Sequence, residues 1–448
     1  MPACGVESRP QSAVIIVIDT LRADHLGSFG YDPPTSPNLD GLQDDSWILF
    51  KNAYAHSPWT LPSFGSILTS MPPPVHRAGE RLVVNDAGAK QFYRLQKEVR
   101  TVAEILGEEH GFRTAAFVNN PYLSPRFGLD RGFERYDHVS KTHWETRPAS
   151  RMVDLATDWL SGLQRDDRFL VLLHFLDPHI YYDPPARFAS KFVGSVRAVE
   201  RPDPTIYLGS ILDGIVPTND DQTFLRGLYD GEIAYVDEQV GRFLDFLEKR
   251  DVLDSTAIVI TADHGEEFWD HGSFEHGQAL YDELVHIPLW LKLPAGSRFE
   301  SSRPPAGVTD RLVCHVDILP TLLDLLELET STPMMGQSFF AGAEPATRSC
   351  YLGFTLYGSL EHQGIVQDGF KLIEDRQERA AELYDLVADP EERENLIRAQ
   401  GEMADRLRHD LDLLERKFDA LRASMKEEAP LKLDREILER LEALGYVR

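Results

Sequence analysis

The chain predicts an α/β protein: a doubly wound, mostly parallel sheet flanked by helices, with a smaller antiparallel C-terminal sheet and C-terminal helices. Three observations predict it. Short solid apolar runs alternate with helical patterns, as parallel strands buried on both faces require. The first four of these runs end in, or lead into, polar residues, and sites in such sheets form at the carboxyl ends of strands. After "PAGSRFESSRPPAG" the pattern changes to hairpin-like stretches and then to a charged helical tail.

In chain order, "AVIIVID" is the first strand. The helix-like "SPNLDGLQDD" follows it, and then the strand "WILFKNAYA". The helix "VRTVAEILGEEHG" precedes "RTAAFV", and "MVDLATDWLSGLQRD" precedes "FLVLLHFLD". The helix "YVDEQVGRFLDFLEKRDV" leads into "TAIVITADHG", and "HIPLWLKLP" comes soon after. Beyond the helix "VDILPTLLDLLEL", the stretches "CYLGFTLY" and "HQGIVQDGFKLIED" predict hairpins. In "MADRLRHDLDLLERKFDALRASM" Leu and Phe recur at helical spacing, a packing stripe. The expected division is a catalytic α/β domain at 1–345, an antiparallel subdomain at 346–400 and amphipathic helices at 401–448.

The 448 residues carry a formal net charge of −27, which repels nucleic acid and anionic membranes. An anionic substrate would therefore need a local metal or cationic site. Cys4, Cys314 and Cys350 form neither a disulfide framework nor zinc-finger spacing, which fits a reducing compartment. No apolar run is long enough to span a membrane, and the first residues lack a signal-peptide core. The expectation is a soluble, cytoplasmic protein, or an exported lipoprotein if the true start lies upstream of "PACG". The oligomeric state is not read from the sequence.

Four polar clusters stand at strand ends. Asp19-Thr20 follows the first strand; the plain alternative is a helix or turn cap. In "HSPWTLPSFGSILTS", Pro62 suits a first helical turn, which places the Thr60 hydroxyl near a helix N-terminus, where an oxyanion is favoured. Asp177 and His179 follow the run "FLVLLHFL", with Pro178 ending the strand. Asp263 and His264 follow "TAIVITA", with His271 and His276 soon after; carboxylate and imidazole together suit a divalent cation. His174 and His286 sit inside apolar runs and are expected in the core. His25 is a candidate pocket residue, His271 a turn or substrate residue, and Arg22 a structural partner for Asp24.

Taken in order, these stretches resemble the sulfatase-like branch of the alkaline phosphatase superfamily. The resemblance runs from "VIIVIDTLRADHLGSFGY" and "TSPNLDGL" through "DPHIYYDPP" and "VITADHGEEF" to "ELYDLVADPEERENL", most of the chain. It implies the alkaline phosphatase/sulfatase fold and a divalent cation held by Asp19, Thr60, Asp263 and His264, with Thr60 as nucleophile. It also implies that His179 and His276 contact the bound oxyanion or leaving group, His276 standing where the family commonly has Lys. Asn119 lies where a Gly-Lys-Trp-His element is missing and is a candidate substrate contact. Asp177, His179 and His276 have the residue types of a second cation site.

Two departures direct the function. The formylglycine motif Cys-x-Pro-x-Arg is replaced by Thr60-Leu61-Pro62-Ser63-Phe64, so no formylglycine is expected. The usual Asp-Asp pair is Asp19-Thr20. The expected protein is a metal-dependent hydrolase or transferase of small anionic phosphate-type or sulfate-type esters. Phosphodiester, phosphonate and phosphotransfer chemistry rank ahead of sulfate-ester hydrolysis. The cation is Mn, Mg, Ca or Zn. A non-catalytic binding protein on the same fold is the alternative class.

Overall fold

A computed structural model of the protein describes residues 11–42, 46–83, 90–138, 147–193, 217–341, 348–356, 362–426 and 428–431. Most of the loop 197–221, the chain beyond 431 and Cys4 lie outside the described residues.

An eight-stranded sheet forms the body. Its strands are β1 (Ser12–Ile18), β2 (Trp47–Tyr54), β3 (Arg113–Val118), β4 (Arg135–His138), β5 (Phe169–Phe175), β6 (Thr256–Ala262), β7 (His286–Lys292) and β8 (Val308–Cys314). Their spatial order is β8-β2-β7-β6-β1-β5-β3-β4. Every pairing is parallel except those of β7, which runs antiparallel to β2 and β6. β1 is buried along its whole length, which is why its sequence is a solid β-branched run rather than an alternating one. A second sheet, β9 (Ser349–Gly353), β10 (His362–Gln367), β11 (Phe370–Asp375) and β12 (Ala380–Asp385), is an antiparallel meander.

The longer helices are α1 (Thr60–Thr69), α2 (Ala149–Ser161), α3 (Asn219–Lys249), α4 (Ile318–Leu325) and α5 (Gly401–Ala423). α3 starts on a reciprocal capping box between Thr218 and Asp221. α1 is buried at every residue, so its N-terminus is held inside the protein. Among the described residues, no helix is long and apolar enough to cross a membrane.

One sequence expectation is overturned here. Cys314, at the end of β8, forms a disulfide with Cys350 in β9. The two are 36 residues apart, and only the docking of the small sheet against the edge of the large one brings them together. Around them Tyr54, Leu284, Val285, Leu352 and Val366 form a second apolar core between the sheets.

Candidate active site

The register of the central strands assembles the site. Ile18 pairs with Ala262 on one side and Phe175 on the other, so Asp19 and Asp263 leave adjacent parallel strands side by side. Immediately after Asp19 the chain turns sharply. Thr20 has φ 56°, an uncommon conformation for a β-branched residue. Three hydrogen bonds hold that turn: Thr20 N–H donates to Asp263 Oδ1 (3.3 Å), Tyr229 O–H donates to Thr20 O (2.7 Å), and Arg22 N–H donates to Tyr229 Oη (2.9 Å). Gly265 is the residue the next loop requires. A Cβ there would lie 2.0 Å from Glu283 O, where the chain folds back with Gly265 N–H on Leu284 O.

Asp19, Asp263 and His264 are fully buried and place three ligand atoms within reach of one cation. His264 Nδ1 hydrogen-bonds Gly265 O at 2.9 Å, which directs the Nε2 lone pair inward. Nε2 lies 3.5 Å from Asp19 Oδ1 and 3.5 Å from Asp263 Oδ2. Among the described residues, neither carboxylate oxygen has a hydrogen-bond partner, although both are buried. Three inward-facing acceptors are costly unless a cation lies among them, so these residues fit a divalent metal.

Thr60 is the first residue of α1, one position inside the helix start. Its Oγ1 is 3.4 Å from His264 Nε2 and accepts from Asn120 Nδ2 at 3.2 Å. The same Asn120 amide donates to Asp19 Oδ2 at 2.8 Å. His174, expected in the core, is buried but also contacts Asp19 Oδ2 through Nε2 at 3.2 Å. Its Nδ1 accepts from Asn119 N–H at 3.3 Å, so Nε2 is the donor. Asn120, which the sequence left unassigned, and His174, which it placed in the core, thus both touch Asp19.

The electrostatics follow from this packing. Burial opposes the charge of Asp19, but the His174 hydrogen bond and the nearby His179 and His264 rings hold its carboxyl below the usual range. Burial and the neighbouring Asp19 charge push Asp263 well up. Burial and the His276 ring push His264 well down, so its imidazole is neutral. His276 is lowered to about 4 by burial, and burial lowers His179 too. Their rings lie 5.0 Å apart, and His276 is 4.5 Å from the His264 ring.

Other residues fall elsewhere. Asn119, the expected substrate contact, turns away: its side chain donates to Arg147 O (2.7 Å) and accepts from Arg147 N–H (3.2 Å). Asp177 does not join His179 and His276. The Ala149 backbone at the start of α2 lowers the pKa of its carboxyl, and its charge in turn raises that of Glu232. Among the described residues, Asp19, Asp263 and His264 are the one grouping with metal-ligand geometry. Arg22 pairs with Asp24 and Asp270. His25 is bonded to Asp230, and His271 to Glu283.

Residues 11–328 match the Sulfatase family, and residues 269–417 match the C-terminal region of N-sulphoglucosamine sulphohydrolase. An uncharacterized sulfatase of Escherichia coli is 25% identical, the alignment covering 86% of this chain and 82% of that protein. An arylsulfatase of Clostridium perfringens is 24% identical over 86% of this chain and 90% of its own. Among solved structures, a phosphonate monoester hydrolase of Agrobacterium radiobacter matches with a TM-score of 0.68 at 20% identity, covering 95% of this chain and 100% of that one. A protein solved with its substrate D-glucosamine-2-N,6-O-disulfate matches at 0.70 and 20% identity, covering 92% and 98%.

Proposed function

The chain belongs to the sulfatase family, and we propose that it acts on phosphate-type or sulfate-type esters with Thr60 as its nucleophile. The observation that carries this reading is the position of the Thr60 hydroxyl on His264 Nε2, the atom that two unpartnered carboxylate oxygens also face. Asp19, Asp263, His264 and Thr60 would hold a divalent cation. Such a cation lowers the pKa of a bound hydroxyl and draws charge from a substrate oxygen.

The chain's own groups do the rest. Asn120 fixes the Thr60 oxygen against Asp19. The buried N-terminus of α1 favours negative charge at Thr60. Thr60 Oγ forms a bond to phosphorus or sulfur, the bond to the ester oxygen breaks, and the departing alcohol takes up a proton. His179 and His276 would meet the non-bridging oxygens or pass that proton. Water or an acceptor alcohol then opens the Thr60 ester.

With a threonine where formylglycine chemistry needs cysteine, phosphodiester, phosphonate and phosphotransfer reactions rank first. Sulfate-ester hydrolysis is the second reading, favoured by the arylsulfatase relative. A metal-supplemented screen of aryl phosphate monoesters, diesters, phosphonates and sulfates tests the class. Thr60→Ala should lower turnover at least about a thousandfold with an unchanged circular dichroism spectrum. Wild-type turnover by that variant would remove Thr60 from the reaction.

A further inference from the structure

Glu266, two residues beyond His264, is fully buried, and its polar atoms are engaged on every side. Oε1 meets His276 Nδ1 at 2.8 Å, and Oε2 accepts from Tyr182 O–H at 3.0 Å. Its backbone N–H donates to Glu283 O (3.0 Å), and its backbone O accepts from Arg22 Nη1 (3.0 Å). Tyr182 comes from the segment after Asp177 and His179, so one carboxylate ties both histidine-bearing loops together. His276 is placed with equal care. Glu275 before it has φ 70° and Gly277 after it φ 92°, so the backbone bends on both sides of the ring. A non-glycine residue in that conformation persists only when its surroundings over-determine it.

We propose that Glu266 is a positioning residue that takes up His276 Nδ1 and thereby presents Nε2 to the substrate oxyanion beside Thr60 and His264. This rests on the reading of Thr60 as nucleophile. An imidazole acts through one nitrogen in one direction, and here the Glu266–Tyr182 pair sets that direction. Glu266 itself touches neither substrate nor cation; it acts through His276.

A double-mutant cycle tests this. Glu266→Gln should lower kcat about 10- to 100-fold with KM changed less than about threefold. The metal-induced rise in melting temperature should persist, because no metal ligand is altered. In a His276→Ala background, adding Glu266→Gln should change kcat by less than about twofold. If His276→Ala is too slow to assay, calorimetric binding of inorganic phosphate to the same four metal-loaded proteins replaces kcat. Glu266→Gln should weaken that binding only where His276 is present. An equal loss in both backgrounds, or no loss in either, overturns the proposal. Failure of the Thr60 reading is seen separately, in turnover by Thr60→Ala.

Discussion

Two buried charge clusters of this protein are built from similar parts and solve opposite problems. In one, Lys371 of β11 is fully buried between Asp282 and Glu392. Its Nζ lies 2.5 Å from Asp282 Oδ1 and 2.9 Å from Glu392 Oε1, and it donates to Leu280 O at 3.1 Å. In the other, Asp19 and Asp263 face a neutral imidazole, and each keeps a buried oxygen with no hydrogen-bond partner among the described residues. The first cluster supplies its own cation and joins the small sheet to the loop that follows His276. The second brings carboxylate against carboxylate and becomes stable when a cation arrives from outside. Burial alone therefore does not mark a site; an unbalanced charge count does.

The sharpest way to break this contrast is Asp263→Asn. The amide oxygen keeps an acceptor for Thr20 N–H and His264 N–H, and its nitrogen can donate to the unpartnered Asp19 oxygen. Divalent-metal affinity should fall at least about 100-fold, and turnover with it. In EDTA the variant should nevertheless melt higher than the wild type, by about 1–3 kcal/mol of added stability, because the like-charge contact is gone. A variant that binds metal normally, or melts lower in EDTA, would show that these carboxylates are not a cation site.

Lys371→Met should move stability the other way. It leaves Asp282 and Glu392 buried without their counter-charge. A loss of about 3–5 kcal/mol is expected in denaturant melts, with or without metal. If the melts are unchanged, the Lys371 cluster is not the joint described above.

The sequence makes the charged ends of the strands visible and their lateral relations invisible. Asp19, Asp263 and His264 are legible because an apolar run that stops on a carboxylate has few plain explanations. Thr60 is legible because Pro62 marks a helix start. His174 is not, since an isolated histidine inside "FLVLLHF" reads as core; only the pairing of β5 with β1 brings it to Asp19. Asn119 and Asn120 are indistinguishable until the end of β3 is placed, and the second proves to be the site amide. The Cys314–Cys350 disulfide depends on the docking of two sheets, which no local pattern encodes. The same holds for the expected trio of Asp177, His179 and His276. Spacing of two suggests a shared direction, but Asp177 turns to the start of α2 instead.

Asp177 gives the smallest and most specific test of the comparison, because it is a third acid with a buried oxygen that has no hydrogen-bond partner among the described residues, and its charge raises Glu232. Burial pushes its carboxyl up to about 6 from the ordinary 3.8, partly offset by the backbone N–H of Ala149. The folded protein thus holds this proton more tightly than the unfolded chain does. The resulting stabilisation is fully present below about pH 4 and is lost as pH rises through about 6. Asp177→Asn keeps an acceptor for Ala149 without the charge. Urea midpoints should therefore favour the variant by about 1 kcal/mol above pH 6, with the difference fading towards pH 4. Metal stoichiometry should match the wild type's, since Asp177 lies apart from Asp19, Asp263 and His264. Parallel midpoints across that range would show that Asp177 is charged in the fold, and a lost equivalent of metal would restore it to a second cation site.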